Sequence, residues 1–477
     1  MSLPVKSEKS SGVWQATMAE RVVPTELSQL FPQTRALEVR LPPGLENADI
    51  PRLVWRVKRS GFNTILLNCF SQGYMTFPSK MMAAYGFPDQ DPRFRGNDFV
   101  APVLAAARRE GLTVYALVEG LRVGGDRGRG PILRRRPEWG VRGRDPFRRA
   151  SIPPFLCPAN PDVRRFLGDL FYEILEGYSF DGLYLRHLHY PLDQPDHRGD
   201  FCRCDYCRRA IWLSLGVRIA DIPDDPDHPD RYNLTSWRGK QVTGLLRYLR
   251  LRAAKASARP LTLAEVYLGE EAEQAGPESS GYVDGCSWAQ DRWVPIAVFR
   301  PLPGMPEGSK EWIKRIAAMA QCALVMPALS ASSENRSTQL LDTLERLALE
   351  PIAGIVMCEP HDLTAPPLNL LADGLWREPT QVTESRPIAS VCALLADTVR
   401  RLPPDDPVRA FLADVLRVVE PLGERWSAAQ RESLHENLVG LEERIADERI
   451  LLGEAAPAVL RNFRLARQLL RLVETES

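Results

Sequence analysis

Along most of this chain, short apolar runs alternate with longer segments in which apolar residues recur every three to four positions. The runs at 36–41, 64–69, 113–119, 182–186, 261–267, 294–300, 323–327 and 354–358 predict strands. The helical period predicts helices over 50–60, 99–110, 161–177, 235–256 and 338–349, several closed by a glycine ahead of the next strand. "KRSGFNTILL", "RREGLTVYAL" and "GYSFDGLYL" repeat one order: helix, glycine or aromatic residue, strand. Strands that are apolar almost throughout, each followed by a helix, belong to a parallel sheet covered on its outer face. Eight of them predict an α/β fold, a (β/α)8 TIM barrel. Such a barrel takes about 250 residues or more with insertions, and 35–378 holds one with large loops.

From 384 onward the strand pattern stops. Ser427-Ala-Ala-Gln430 has the form of a capping box, and Leu434, Leu438, Leu441 and Ile445 then repeat at helical spacing. Leu460, Phe463, Ala466, Leu469, Leu470 and Val473 mark a last helix. The predicted organisation is a polar leader (1–34), the barrel (35–378) and a C-terminal helical region (384–477) packed on it through these stripes.

Composition narrows the functional classes. The chain has 477 residues with 61 basic and 61 acidic side chains, so no global charge favours nucleic acid or an anionic membrane. No apolar run reaches about 18 residues and the N-terminal segment lacks an apolar core, so neither a membrane span nor a signal peptide is expected, and the expected location is cytoplasmic. Nine cysteines are too sparse for a disulfide scaffold; an odd count fits free thiols plus a metal site. Locally, residues 122–150 carry ten arginines against three acids, a loop able to hold anionic groups or simply to be solvated. No aromatic interleaving of the nucleic-acid kind accompanies it.

The segment "FDGLYLRHLHYPLDQPDHRGDFCRCDYCRRA" (180–210) carries the densest chemistry. Cys202, Cys204 and Cys207 bring three soft ligands within six residues, a spacing suited to a tetrahedral zinc site. Cys157 in "LCPANP", His189 or His197 supplies the fourth ligand. Barrel enzymes place reacting groups at the C-terminal ends of their strands, which makes Glu119, Glu265, Glu359 and His187 the catalytic candidates, with Asp193 and Asp196 behind strand 4. Strand 7, ending at Met326-Pro327, offers no carboxylate. Arg186, Arg122 and Arg300 are candidate anion-binding groups. Trp139, Tyr190 and Trp288, together with Tyr74 and Tyr267, are candidate stacking surfaces for sugar rings.

Several segments together resemble the glycosyl hydrolase-like family 10 proteins, barrels related to glycosidases. "GFNTILLNCFSQGYMTFPSK" (61–80) is similar to that family's strand 2 with its "YPSK"-type loop, "RRPEWG" (135–140) to its "HPEW" segment, and "LCPANPDVRRF" (156–166) to its "LNPGNPEVR" segment. "FDGLYLRHLHYP" (180–191) stands where the family has "VDGIHFDDYFYP", and "YVDGCSWAQDRWVPIAVFRPL" (282–302) resembles "YADSRRWLEEGWIDYIAPQLY". The resemblance implies a barrel that binds or cleaves an oligosaccharide. It also exposes a departure: where the family has two aspartates after strand 4, this chain has Arg186 and His187. Glycoside cleavage needs a carboxylate pair, and an arginine that stays charged can act as neither acid nor base. Two functional classes follow: a glycoside hydrolase-like protein for an oligosaccharide or anionic glycan, with little hydrolysis expected, or a degenerate barrel serving as a binding or scaffold protein through its C-terminal helices. The cysteines resemble the four-cysteine zinc site of family 42 β-galactosidases, which implies Cys157 as the fourth ligand. A closed four-thiolate shell has no open position for water, so the zinc is expected to be structural.

Overall fold

The computed structural model describes residues 33–94, 96–125, 128–144, 153–192, 201–223, 225, 227–256, 261–267, 282–291, 293–301, 305–330, 337–358, 371, 376, 380, 382–384, 386–447 and 455–473. Its centre is a closed barrel of eight parallel strands: β1 (Thr34–Val39), β2 (Thr64–Ser71), β3 (Thr113–Glu119), β4 (Gly182–Arg186), β5 (Leu261–Val266), β6 (Ile296–Phe299), β7 (Leu324–Ser330) and β8 (Gly354–Cys358). Each strand pairs with the next, and β1 closes the ring against β8 with Ala36 opposite Val356. Tyr74–Met75 folds back antiparallel on the end of β2.

Helices α1 (Ile50–Arg59), α2 (Val100–Arg109), α3 (Pro161–Gly177), α4 (Asp205–Leu215), α5 (Pro229–Ala253), α6 (Lys310–Met319) and α7 (Ser337–Leu347) belong to the connections between strands. Their starts are fixed locally. Asn160 caps α3 by accepting from the Asp162 N–H, with Pro161 in the first turn, and Ser309 caps α6 by accepting from the Trp312 N–H. The expectation of a helix from 235 is corrected to Pro229: the His228 side chain accepts from the Asp230 N–H and a proline follows it, a cap outside the usual Ser, Thr, Asp and Asn set. The expected end of strand 7 at Pro327 is corrected to Ser330. One proline removes a single donor, and Met326 and Ala328 on either side stay paired to β6 and β8.

Strand alternation divides the apolar residues into two cores. Leu37, Leu67, Val114, Val118, Leu183 and Leu185 face outward against the helices. Ala36, Leu66, Leu117, Tyr184, Leu263 and Met326 face inward and share one cluster with Ile388, Val391, Leu394, Leu438, Phe463 and Leu469 from the C-terminal helices. Those helices, α8 (Pro387–Arg401), α9 (Pro407–Val419), α10 (Ala428–Asp447) and α11 (Ala456–Val473), thus close the base of the barrel, where the strands begin. The expected capping box forms: the Ser427 N–H donates to Gln430 Oε1 at 2.8 Å and the Gln430 N–H donates to Ser427 Oγ at 3.2 Å. Leu434, Leu438, Leu441 and Ile445 are all buried, and each such side chain contributes about 1.5–3 kcal/mol of transfer free energy. Glu384 reaches in beside them and accepts from Tyr115 Oη at 3.0 Å and from Thr34 Oγ1. Burial pushes its carboxyl above the usual range. Among the described residues no helix is long and apolar enough to cross a membrane.

Candidate active site and metal centre

With the base plugged by apolar helices, chemistry is left to the opposite end. The same alternation that puts Ala36, Leu117, Tyr184 and Leu263 inside puts Glu38, Glu119, Arg186 and Glu265 inside one turn of the pleat later, with Arg300 and Cys358 beside them. The uppermost inward layer of the barrel is therefore polar and largely charged.

Four of these groups form a closed ring of alternating sign. Arg186 Nη1 lies 3.0 Å from Glu38 Oε2 and its Nε 3.6 Å from Glu265 Oε2; Arg300 Nε lies 3.0 Å from Glu265 Oε1 and its Nη2 2.7 Å from Glu38 Oε1. Both glutamates are buried and the arginine side chains are 7% and 18% exposed. Glu265 also accepts from the His187 N–H at 3.1 Å and from the Tyr267 hydroxyl. Burial alone would raise the Glu265 carboxyl, but Arg300, His187 and Arg186 outweigh it and hold it well below the usual range. Burial likewise works against the charge on Arg186, and Glu38 and Glu265 more than restore it. The Cys358 thiol touches the ring, 3.0 Å from Arg300 Nη2.

Glu119 stands apart from this ring, paired with Arg40 Nη2 at 3.1 Å and accepting from the Gln72 N–H at 3.2 Å. His187, just past β4, has the left-handed backbone conformation (φ 53°), unusual for a residue with a side chain. Among the described residues neither of its ring nitrogens has a hydrogen-bond partner, and Nδ1 lies 3.9 Å from Glu265 Oε2. His189 places Nδ1 2.6 Å from the Tyr190 carbonyl, so the proton sits on Nδ1 and the unpartnered Nε2 is an acceptor. Burial is the main cause that lowers both imidazoles, with Arg122 adding to the effect, so both rings are neutral at pH 7. The rings of Phe155, His187, His189 and Tyr267 lie edge to face or tilted against one another.

Other candidates fall elsewhere. Trp288 is fully buried and donates from Nε1 to Thr243 Oγ1 of α5, so it belongs to the outer helix layer and offers no face to a sugar. Trp139 packs against Tyr85, Phe87 and Phe166 beneath the loop after β3. Tyr190 is buried edge to face with Tyr282. All three are large aromatics used as anchors for long loops, a role that strand-end position alone does not distinguish from stacking. Glu359, Asp193, Asp196 and His197 lie outside the described residues. Glu38 is the residue of the charged ring that sequence reasoning did not single out. A charged residue in the inward phase of "TRALEV" was the available signal.

The candidate metal centre, a cluster of four cysteines, is built by the loops after β3 and β4. Gly140 and Leu156 form an antiparallel bridge, as do Arg122 and Phe155, and the Cys157 N–H donates to the Trp139 carbonyl at 2.8 Å, which fixes Cys157. The Arg203 N–H donates to the Arg142 carbonyl at 2.7 Å and brings the second loop alongside. Cys202, Cys204 and Cys207 then meet Cys157, with all four ligand atoms within 4.8 Å of one another and all four residues buried. Cys157 and Cys207 sulfurs are 3.4 Å apart, and Cys204 and Cys157 sulfurs 3.8 Å. Four thiolates about 2.3 Å from a tetrahedral ion are about 3.8 Å from each other, so the set fits such an ion. Backbone N–H groups of Arg142 and Cys204 point at Cys202 Sγ, and that of Cys207 at Cys204 Sγ, as thiolates require. Hydrogen bonds from Cys157, Cys202 and Cys207 hold the Cys204 thiol well below its ordinary value, while the Cys157 thiol, in contact with Cys202, is pushed up.

No protein-family model and no curated protein matches the sequence. Solved structures do match in fold. The glycoside hydrolase domain of PgaB (BpsB) from Bordetella bronchiseptica superposes with a TM-score of 0.53 at 16% identity, over 72% of this chain and 98% of that domain. The catalytic domain of a β-amylase from Paenibacillus polymyxa gives 0.48 at 14% identity, over 69% and 92%, and a β-galactosidase from Bacillus circulans sp. alkalophilus 0.47 at 12%, over 69% and 51%. At this identity the likeness is one of architecture: the chain is similar in fold to a glycoside hydrolase TIM barrel, with four clustered cysteines beside its mouth.

Proposed function

We propose that this protein is a relative of the glycosyl hydrolase-like family 10 barrels that binds an oligosaccharide at the C-terminal mouth and does not hydrolyse neutral glycosides by the two-carboxylate route. The observation that carries this reading is the ring of Glu38, Arg186, Glu265 and Arg300. A general acid needs a carboxyl raised towards working pH, and Glu265 is held the other way. Glu119, the remaining described candidate, is engaged by Arg40 and the Gln72 backbone. A polar guest is supported by the unpartnered nitrogens of His187 and His189, neutral groups suited to sugar hydroxyls. Arg186 and Arg300 are already paired within the ring, so they give no support to a preference for anionic glycans. The alternative, a scaffold acting through its C-terminal helices, has weaker support, since their apolar stripe is spent on the barrel base.

The four cysteines suit a structural zinc that ties the loops after β3 and β4 together, supplying cross-linking and no open coordination position. Nine free thiols fit a reducing, cytoplasmic setting. The test is a panel of aryl-glycosides for turnover, run beside a neutral and acidic oligosaccharide panel for binding. Binding without turnover is expected, with any acidic preference weakening as salt rises. Turnover of an uncharged aryl-glycoside that Glu265→Gln abolishes would restore the hydrolase reading.

A further inference from the structure

Away from the mouth and the four-cysteine cluster, two other thiols meet. Cys286 lies in the short helix Gly285–Gln290 between β5 and β6, and Cys322 in the turn between α6 and β7. Thirty-six positions separate them in sequence, yet their sulfurs are 3.3 Å apart. Both residues are half-buried, within reach of a small reagent, whereas Cys157, Cys202, Cys204 and Cys207 are at most 5% exposed. Both are also held from their own backbones. Asp284 caps the short helix by accepting from the Ser287 N–H at 3.0 Å, and the Cys322 N–H donates to the Met319 carbonyl at 2.9 Å. Met319 Sδ, 3.9 Å from Cys286 Sγ, packs against the pair. A disulfide needs sulfurs about 2.05 Å apart, so the pair must close by a little over ~1 Å.

We infer that Cys286 and Cys322 are a reversible dithiol–disulfide pair, a modification site for low-molecular-weight disulfides. One thiolate attacks a sulfur of the small disulfide RSSR, forming a mixed disulfide and expelling RS⁻. The second thiolate attacks the protein sulfur of that mixed disulfide and expels the second RS⁻. The two thiol protons end on the two released thiols, so the protein gives up two electrons and RSSR takes them. Burial first, then Cys322 and Asp284, push the Cys286 thiol up to about 12. A thiol raised in this way is less often a thiolate, which slows attack by Cys286 itself. The bond would join the β5–β6 connection to the turn that starts β7, independently of any ligand at the mouth.

The experiment uses the full chain incubated with glutathione disulfide, quenched with acid, freed of the reagent and unfolded with a chelator present; one portion is titrated for thiols and another is alkylated for peptide mapping. The expected result is a fall from nine titratable thiols by two, a linked Cys286–Cys322 peptide, and reversal by dithiothreitol. Cys286→Ser and Cys322→Ser should each remove the linked peptide, and the wild-type map decides the matter if neither variant folds. Retention of all nine thiols, loss confined to Cys157, Cys202, Cys204 or Cys207, or a glutathione adduct on Cys286 or Cys322 that never resolves would each overturn the inference.

Discussion

Glu265→Gln separates a structural ring from a catalytic carboxylate. The wild-type ring is neutral, two arginines against two glutamates; the substitution leaves both arginines facing Glu38 alone. Glu265 is fully buried, 3.0 Å from Arg300 Nε and 3.6 Å from Arg186 Nε. Removing one partner of a buried ion pair costs about 3–5 kcal/mol, because the other charge stays buried. The His187 N–H and the Tyr267 hydroxyl reach different oxygens of the carboxylate. An amide has one acceptor oxygen, so it keeps only one of these bonds, worth about 1 kcal/mol, and a loss of at least about 3 kcal/mol is expected. Urea unfolding followed by tryptophan fluorescence reads it as a lower midpoint at unchanged slope. The double variant Glu265→Gln, Arg300→Gln should cost at least about 1 kcal/mol less than the sum of the singles. A loss under about 1 kcal/mol for Glu265→Gln, with additive doubles, would refute the ring as a structural device. It would leave Glu265 as a carboxylate kept for chemistry.

Three further outcomes follow from the same geometry. Both His187 and His189 have folded values below the ordinary imidazole range, so the unfolded chain takes protons first and stability should fall as pH drops below about 6.5. Asparagine tolerates the backbone conformation of His187, so His187→Asn should flatten that slope in unfolding curves taken from pH 7 to 5. Metal analysis should find about one zinc per chain, and Cys204→Ser should lose it and lower the thermal midpoint; an unchanged midpoint would remove the structural role. Leu438→Ala, at a fully buried position of the barrel-base cluster, should cost about 2–5 kcal/mol in urea unfolding, and a loss below about 1 kcal/mol would mean that the base packs loosely.

What the sequence determined by itself was everything set by short-range pattern. Eight apolar runs with helices between them admit one closed architecture, and "TVYALVE" and "GLYLR" became β3 and β4 at the expected residues. The capping box at Ser427, the helical stripe from Leu434 to Ile445 and the close spacing of Cys202, Cys204 and Cys207 are local too, legible because each is decided within a few turns of chain. Tertiary structure decided the partners. Glu38 and Arg186 are 148 positions apart and Glu38 and Arg300 262, so nothing local says that the glutamate of β1 pairs with the arginine that ends β4 and the one that follows β6. The arginines that read as an anion site in sequence are, in the fold, half of a neutral ring. Likewise a strand-end aromatic reads as a stacking surface until the helix layer closes over it, as α5 does over Trp288. The inward phase of each strand is a property of the sequence, but which charges meet across the barrel depends on closure, and closure is a property of all eight strands at once.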